Sequence, residues 1–108
     1  MTQTQVQTIY NTLITSKHQT LVRPMLKSAV RYARLRVDWH LNSPEQRRQL
    51  DEERTAAHNA FISHCDIVSR NMHLANEDAT WRQQIGTDRK DIGDFACWLH
   101  LVMGIMAR

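Results

Sequence analysis

The chain has 108 residues, of which 42% are hydrophobic and 23% charged, with only three glycines and two prolines. This composition excludes a disordered chain and favours one helical domain over residues 1–108. The formal charge of +3 argues against an acidic protein that imitates DNA. The charge is uneven, because residues 1–50 carry eight Lys/Arg against two Asp/Glu, whereas residues 51–108 carry six against nine. Such an asymmetry indicates either an anionic partner for the first half or two halves that pack together.

The first predicted helix covers residues 4–19, where apolar side chains recur at three- and four-residue steps. Pro24 follows, and it either begins a second helix or kinks a continuous one. Both interpretations stay open because proline is tolerated in a first turn and disrupts a helix interior. The second helix is predicted to end near Leu41.

The second helix carries two predicted surface features. Four cations at steps of four, four and three residues form what we call the basic stripe: Arg23, Lys27, Arg31 and Arg34. The stripe is either a solvated face or a binding site for phosphates or for an acidic protein surface. Tyr32 and Trp39 fall on another face, where they predict a small apolar patch that packs inside the bundle or meets another molecule.

A clear break separates the second helix from the third. Ser43 is predicted to cap the third helix, Pro44 to take its first position and Gln46 to complete a capping box. The third helix then extends to about Leu74. A polar connection follows, with one helical turn predicted at residues 79–85.

The last helix is predicted to begin after an N-cap at Thr87 or Asp88 and to continue to the C-terminus. Small residues that include Gly93 and Gly104 form a groove on one side, and bulky apolar residues cover the others. This pattern predicts a helix with partners on all sides. The fold class is therefore all-α, a four-helix bundle with a buried C-terminal helix. Tyr32, Trp39 and the two glycines are the candidate interface, and a homodimer is one use of it.

A buried polar cluster is predicted between the third and last helices, with the members Arg54, His58, Arg89, Asp94 and His100. Arg54 falls within an apolar arc, and an unpaired buried charge is costly, so it needs a carboxylate. We predict that Arg54 pairs with Asp94 and that His58 or His100 lies beside the pair. The cluster is either a network that fixes the helix register or a small active site.

No sequence motif supplies metal or catalytic chemistry. The chain lacks the paired Glu-x-x-His of di-iron bundles, a His-x-x-x-His chelate, a phosphate-binding glycine loop and a Gly-x-Ser-x-Gly turn. Cys65 and Cys97 belong to no CxxC pair and are predicted to be buried free thiols. We therefore expect no metal, no cofactor and no catalytic residue, and a protein that is not an enzyme.

The expected location is the cytoplasm, without a membrane partner. The first ten residues show neither a basic region nor an apolar block, so no signal peptide is indicated. The apolar run of the last helix is shorter than the roughly 20 residues that a bilayer crossing requires.

The C-terminal half resembles a family of small uncharacterised helical proteins carried by plasmids, phages and conjugative elements of Gram-positive bacteria. The resemblance covers about residues 50–108 and is carried by Arg54–Asn59, Ser69–Met72, Trp81–Arg82, Asp88–Lys90, Ile92–Cys97 and Gly104–Arg108. It implies a genetic setting in which small non-enzymatic regulators and inhibitors of host defence are common. The family brings no established activity with it.

These observations together predict a small non-enzymatic binding protein of a mobile genetic element that regulates or inhibits a macromolecular partner. The most specific form of this prediction is an anti-CRISPR protein or another inhibitor of host defence. The positive net charge leaves direct contact with a protein or a guide RNA open. Two alternatives remain: a nucleic-acid-binding accessory protein that uses the basic stripe, and a small enzyme that uses the buried cluster.

Overall fold

The computed structural model describes residues 1–107 as an all-α structure, in which no strand is found over that range. Its helices are α1 (Gln3–Ile14), α2 (Gln19–Leu41), α3 (Pro44–Leu74), α4 (Trp81–Ile85) and α5 (Arg89–Met106). The all-α class is confirmed. The short helix α4 occupies the predicted helical turn of the polar connection. Arg108, the last residue of the resemblance and of the predicted C-terminal helix, lies outside the described residues.

The capping box at the start of α3 is confirmed. The Ser43 hydroxyl accepts a hydrogen bond from the Gln46 N–H, and the Gln46 side chain accepts one from the Ser43 N–H. Pro44 occupies the first helical position, where its missing N–H has no intrahelical partner to lose. Thr2 and Gln5 form a second capping box at the start of α1, which begins one residue before the predicted helix.

Helix α1 ends at Ile14, earlier than the sequence pattern predicts, because a side chain from the next helix closes it. The Gln19 amide donates to the carbonyl oxygens of Leu13, Ile14 and Ser16 at 2.7–3.1 Å. These carbonyls have no intrahelical donor at a helix end. One glutamine therefore terminates α1 and begins α2.

Pro24 lies inside one continuous α2, so the interpretation in which it begins a helix is wrong. A proline at this position deprives the Thr20 carbonyl of its helical donor. Both Pro24 and Thr20 are exposed, so water can satisfy that carbonyl. The interruption therefore lies on the solvent side of α2 and leaves its packed sides intact.

Helix α5 contacts α1, α2 and α4, and helix α2 contacts α1, α3 and α5. The buried residues of α2 are Val22, Met25, Leu26, Ala29, Tyr32 and Ala33. Across from it, Phe61 of α3 and Phe95 of α5 meet with ring centroids 6.0 Å apart. Among residues 1–107, no helix combines the length and the apolar character needed to cross a bilayer.

The prediction that α5 has partners on all sides is wrong at its C-terminal end. Its buried residues run from Ile92 to Val102, but Leu101 is 50% exposed, Ile105 39% and Met106 46%. The physical reason is that the contacts of α5 with α1, α2 and α4 cover only part of its circumference. The apolar run of α5 thus contains a core part and a part that faces solvent.

Candidate functional site

The predicted pair of Arg54 and Asp94 does not form. Asp94 Oδ1 accepts a hydrogen bond from Nη1 of Arg36, the remaining arginine of α2, at 2.8 Å. The Asp94 side chain is 47% exposed, so the buried carboxylate that motivated the prediction is absent. Asp94 lies on the side of α5 that faces α2. At this exposure the ion pair contributes about 1 kcal/mol or less to stability.

Gly93 lies directly beneath the Arg36 guanidinium. A Cβ at this position would stand 2.9 Å from Arg36 Cζ. Burial alone would lower the pKa of Arg36, but the hydrogen bonds to Asp94 and Cys97 outweigh it and hold the pKa above its ordinary value. The group that lies close to Gly93 is therefore Arg36 of the same chain. Gly93 is buried, so it is not part of an exposed interface.

Arg54 instead stacks on Trp39. Its Cζ lies 4.3 Å from the Trp39 ring centroid, and that of Arg47 lies 4.6 Å from it. Trp39 Nε1 donates to Asp51 Oδ1 at 2.7 Å, and Arg47 also donates to the carbonyl oxygens of Trp39 and His40 at the end of α2. Guanidinium groups are attracted to aromatic faces. Trp39 therefore fastens the corner between α2 and α3 instead of offering a free face.

His58 and Tyr32 are core residues. His58 is 8% exposed and Tyr32 only 2%, and their rings meet edge to face with centroids 5.3 Å apart. Burial lowers the pKa of His58, the contact with Asn59 opposes this, and the positive charges of Arg89 and Arg54 lower it further. Tyr32 consequently leaves the candidate interface, because α3 covers the side of α2 on which it lies.

The predicted polar cluster thus occupies three separate places. Arg54 and His58 lie at the α2–α3 contact, and Arg89 beside them reaches Thr55 Oγ1 at 3.4 Å. Asp94 pairs with Arg36. His100 lies between α2 and α5, where it lines a groove. The structure therefore does not assemble these groups into one active site.

That groove is the largest feature at the contact between α2 and α5, with a volume of about 500 Å³. It is lined by Ala33, Arg34, Val37, Asp38, Cys97, His100, Leu101, Gly104 and Ile105. Val37 is 51% exposed, Leu101 50% and Ile105 39%. Gly104, the fourth residue of the candidate interface, is exposed and nothing would touch a Cβ there within 4 Å. The groove is therefore open, and its half-exposed apolar side chains are aliphatic.

The basic stripe runs along the same side of α2. Its four members are all exposed, and none forms an ion pair with another residue of the described chain. Arg34 lines the groove, while Arg23 and Lys27 border a second hollow together with Leu26, Val30 and Met103. We call the groove residues Val37, Leu101, Gly104 and Ile105, together with the basic stripe, the α2–α5 surface.

A second polar cluster, around Glu77, was not predicted. The Glu77 carboxylate accepts hydrogen bonds from the Ser16 hydroxyl at 3.2 Å and the Lys17 N–H at 3.3 Å, and His18 Nδ1 lies 2.6 Å from it. Desolvation would raise the pKa of Glu77, but these hydrogen bonds outweigh it and lower the pKa. The partners are about sixty residues apart in sequence, so no local signal marks them.

The Glu77 cluster has the residue types of a serine-histidine-glutamate triad but not its geometry. Ser16 and His18 both contact the same carboxylate oxygen, and Ser16 Oγ lies 3.5 Å from His18 Nδ1. In a triad the serine faces the other ring nitrogen, Nε2, which takes its proton. The cluster therefore joins the α1–α2 connection to the α3–α4 connection.

The cysteines and potential metal ligands remain dispersed. Both cysteines are free, and burial raises the pKa of the Cys65 thiol. Cys97, predicted to be buried, is partly exposed because it lines the groove. In the part of the chain that the structure describes, no three His, Cys, Asp or Glu side chains form a group that could hold a metal ion.

Comparison of the chain with protein-family models, with curated proteins and with solved structures gives no match. The resemblance of residues 50–108 to small proteins of Gram-positive mobile elements therefore stays a prediction.

The buried His58 predicts a specific loss of stability in mild acid. Because its pKa is lowered in the fold, the unfolded chain takes up the proton first as the pH falls below about 6.5, the ordinary pKa of histidine. The stability that neutral His58 contributes is complete above that pH and declines below it. We expect urea unfolding between pH 7.5 and 5.5 to show a larger loss for the natural chain than for His58→Gln. Equal losses in the two proteins would contradict this assignment.

The two glycines of α5 predict unequal changes in stability when each is replaced by alanine. Gly104→Ala should raise the free energy of unfolding by about 0.5–1 kcal/mol, because an exposed helix interior favours alanine and the space is open. Gly93→Ala should gain less or nothing, since its Cβ must displace Arg36 from Asp94. Urea unfolding measures both, and Gly93→Ala should recover its gain in an Arg36→Ala background. An equal gain at both positions in the natural background would contradict the account of Arg36.

Proposed function

We propose that this chain acts by binding a protein partner on the α2–α5 surface, and that this binding regulates or inhibits the partner. The observation that carries the proposal is the set of half-exposed aliphatic side chains gathered in one groove, Val37, Leu101 and Ile105. Contiguous apolar surface rimmed by polar residues is typical of interaction sites. Four exposed cations beside that surface, which have no ion-pair partner among residues 1–107, supply the charged rim that protein interfaces commonly have.

The proposal also assumes a particular architecture and a particular setting. The four long helices are taken to form one bundle within a single domain, so that α2 and α5 hold the groove in a fixed geometry. The genetic setting implied by the sequence resemblance makes a host protein the natural target. Inhibition of a host-defence nuclease, as by an anti-CRISPR protein, is then the specific form of the activity.

A nucleic-acid-binding accessory protein is the second candidate. It is favoured by the exposure of all four members of the basic stripe, which could contact successive phosphates. The groove favours a protein partner, because its exposed apolar side chains are aliphatic. None of its lining residues is a tryptophan, tyrosine or phenylalanine. Proteins that bind single strands stack successive bases on aromatic rings, whereas the groove has one such ring, His100.

The enzyme alternative loses the site on which it rested. It required Arg54, His58, Asp94 and His100 to lie together. Asp94 and His100 instead lie apart from each other and from the α2–α3 contact that holds Arg54 and His58. The Glu77 cluster does not supply a catalytic triad in their place. Ser16 and His18 both contact the same Glu77 oxygen, so the serine does not face the other nitrogen of the histidine ring.

The proposed function predicts a partner whose capture depends on the groove. The natural chain, Leu101→Asp and the control Ile67→Asp would each be used as bait in an extract of the bacterium that carries the gene. Leu101 and Ile67 are 50% and 40% exposed, so both changes should leave the fold intact, but Ile67 lies on α3. We expect one stoichiometric protein with the natural chain and Ile67→Asp, and its loss with Leu101→Asp.

Two results would contradict this expectation. Equal capture by Leu101→Asp would place the contact elsewhere on the chain. Recovery of nucleic acid alone, lost when the salt concentration is raised, would favour the second candidate, because phosphate contacts weaken steeply with salt. Mass spectrometry and nucleic-acid recovery at low and high salt distinguish these results.

A further inference from the structure

We propose that the segment bound by the α2–α5 surface is an amphipathic α-helix of the partner protein, with an aliphatic stripe and an acidic flank. This inference rests on the proposed function and deepens it by naming the chemistry of the occupant. Three properties of the surface carry it: the shape of the groove, the position of its charge and the poor fit of other occupants.

The groove has the shape that a third helix fills. Val37 borders it from α2, and Leu101 and Ile105, one turn apart, border it from α5. Gly104 leaves the space between them open. Side chains of a helix pack into the trough between two neighbouring helices, and recognition of this kind uses apolar anchors at three- and four-residue steps.

The positive charge of the basic stripe lies on the α2 side of this groove and of the hollow next to it. The basic stripe extends from Arg23 to Arg34, eleven residue steps along α2, which corresponds to about 16 Å at 1.5 Å per step. Arg34 lines the groove, and Arg23 and Lys27 border the second hollow further along α2. A partner helix aligned with α2 can place carboxylates opposite these cations if its acidic residues repeat at similar steps. Complementary charge of this kind sets specificity and register.

A second copy of this chain does not fit the same surface. A two-fold dimer brings the same patch of both copies together, so the two basic stripes would share one interface. Asp38 is the one acidic residue that lines the groove. The acidic cluster of Asp51, Glu52 and Glu53 lies on α3, about 24 Å along that helix from the exposed Ile67. That acidic cluster therefore lies apart from Ile67 and Leu74, the exposed aliphatic side chains of α3.

A membrane surface is also a poor occupant. Peripheral helices insert protruding apolar side chains into the boundary of the bilayer. Here Val37, Leu101 and Ile105 line a hollow instead. A helix can enter this hollow, whereas a flat lipid surface would meet its rim first.

Synthetic peptides test the inference directly on the full chain. The acidic peptide is a helix of about 18 residues with a leucine stripe and flanking glutamates at steps of four, four and three. One control peptide carries lysine in place of each glutamate, and another keeps the glutamates but carries glutamine in place of each leucine. Fluorescence anisotropy should show that the acidic peptide binds roughly ten-fold or more tightly than either control.

Charge-reversed variants locate the binding on the stripe. Arg23→Glu, Lys27→Glu, Arg31→Glu and Arg34→Glu combined should transfer the preference to the lysine peptide. The matched control combines Arg48→Glu and Arg70→Glu, two exposed arginines of α3, and should keep the preference for the acidic peptide. Circular dichroism verifies that both variants remain helical.

The inference is overturned if the chain binds the acidic and lysine peptides equally, or binds the leucine-free peptide as tightly as the acidic one. It is also overturned if neither peptide binds, or if a 20-nucleotide RNA or vesicles of anionic phospholipid bind more tightly than the acidic peptide in a stripe-dependent manner. The proposed function is tested separately by the Leu101→Asp capture experiment. A protein partner lost with Leu101→Asp but no preference for the acidic peptide would retain the function and reject the acidic helix.

Discussion

The packing of α2 against α1, α3 and α5 is the constraint on which the rest of the structure depends. Val22, Met25 and Ala29 are fully buried by these contacts. Because a helix turns once in about 3.6 residues, covering most of its circumference leaves one solvent side. The basic stripe occupies that side, and the edge where α5 meets α2 becomes the groove. The basic stripe and the apolar groove therefore lie side by side because of the way in which α2 is buried.

The polar contacts between helices lie at the edge of this core, where they join neighbouring helices and connections. Trp39 with Arg47 and Arg54 fastens the α2–α3 turn, Arg36 with Asp94 joins α2 to α5, and Glu77 joins two connections. All are partly exposed, so their charges avoid the full desolvation cost of a buried pair. This arrangement gives these polar residues a structural role, while the α2–α5 surface is a region where exposed apolar and charged side chains lie together.

Local features were predictable from the sequence, whereas contacts between distant residues were not. Ser43, Pro44 and Asp88 act on the helix turn beside them, so their patterns sufficed. Asp94 was assigned to Arg54 on its apolar arc, and finding its actual partner Arg36 required the orientation of α5 against α2. The apolar run of α5 could not separate Leu99, which is buried in this chain, from Leu101, which is half-exposed. Periodicity marks an apolar face but does not identify the molecule that covers it.

Hydrogen exchange on the chain alone and in complex with the captured protein tests most directly whether the partner docks on the α2–α5 surface. The last turns of α5 are exposed at Gly104, Ile105 and Met106, and helix ends open readily in isolation. The account predicts slower exchange in the complex over residues 97–106 and 30–41, with little change over residues 59–70 of α3. Protection confined to α1 or α3, with α5 exchanging as in the free chain, would contradict it.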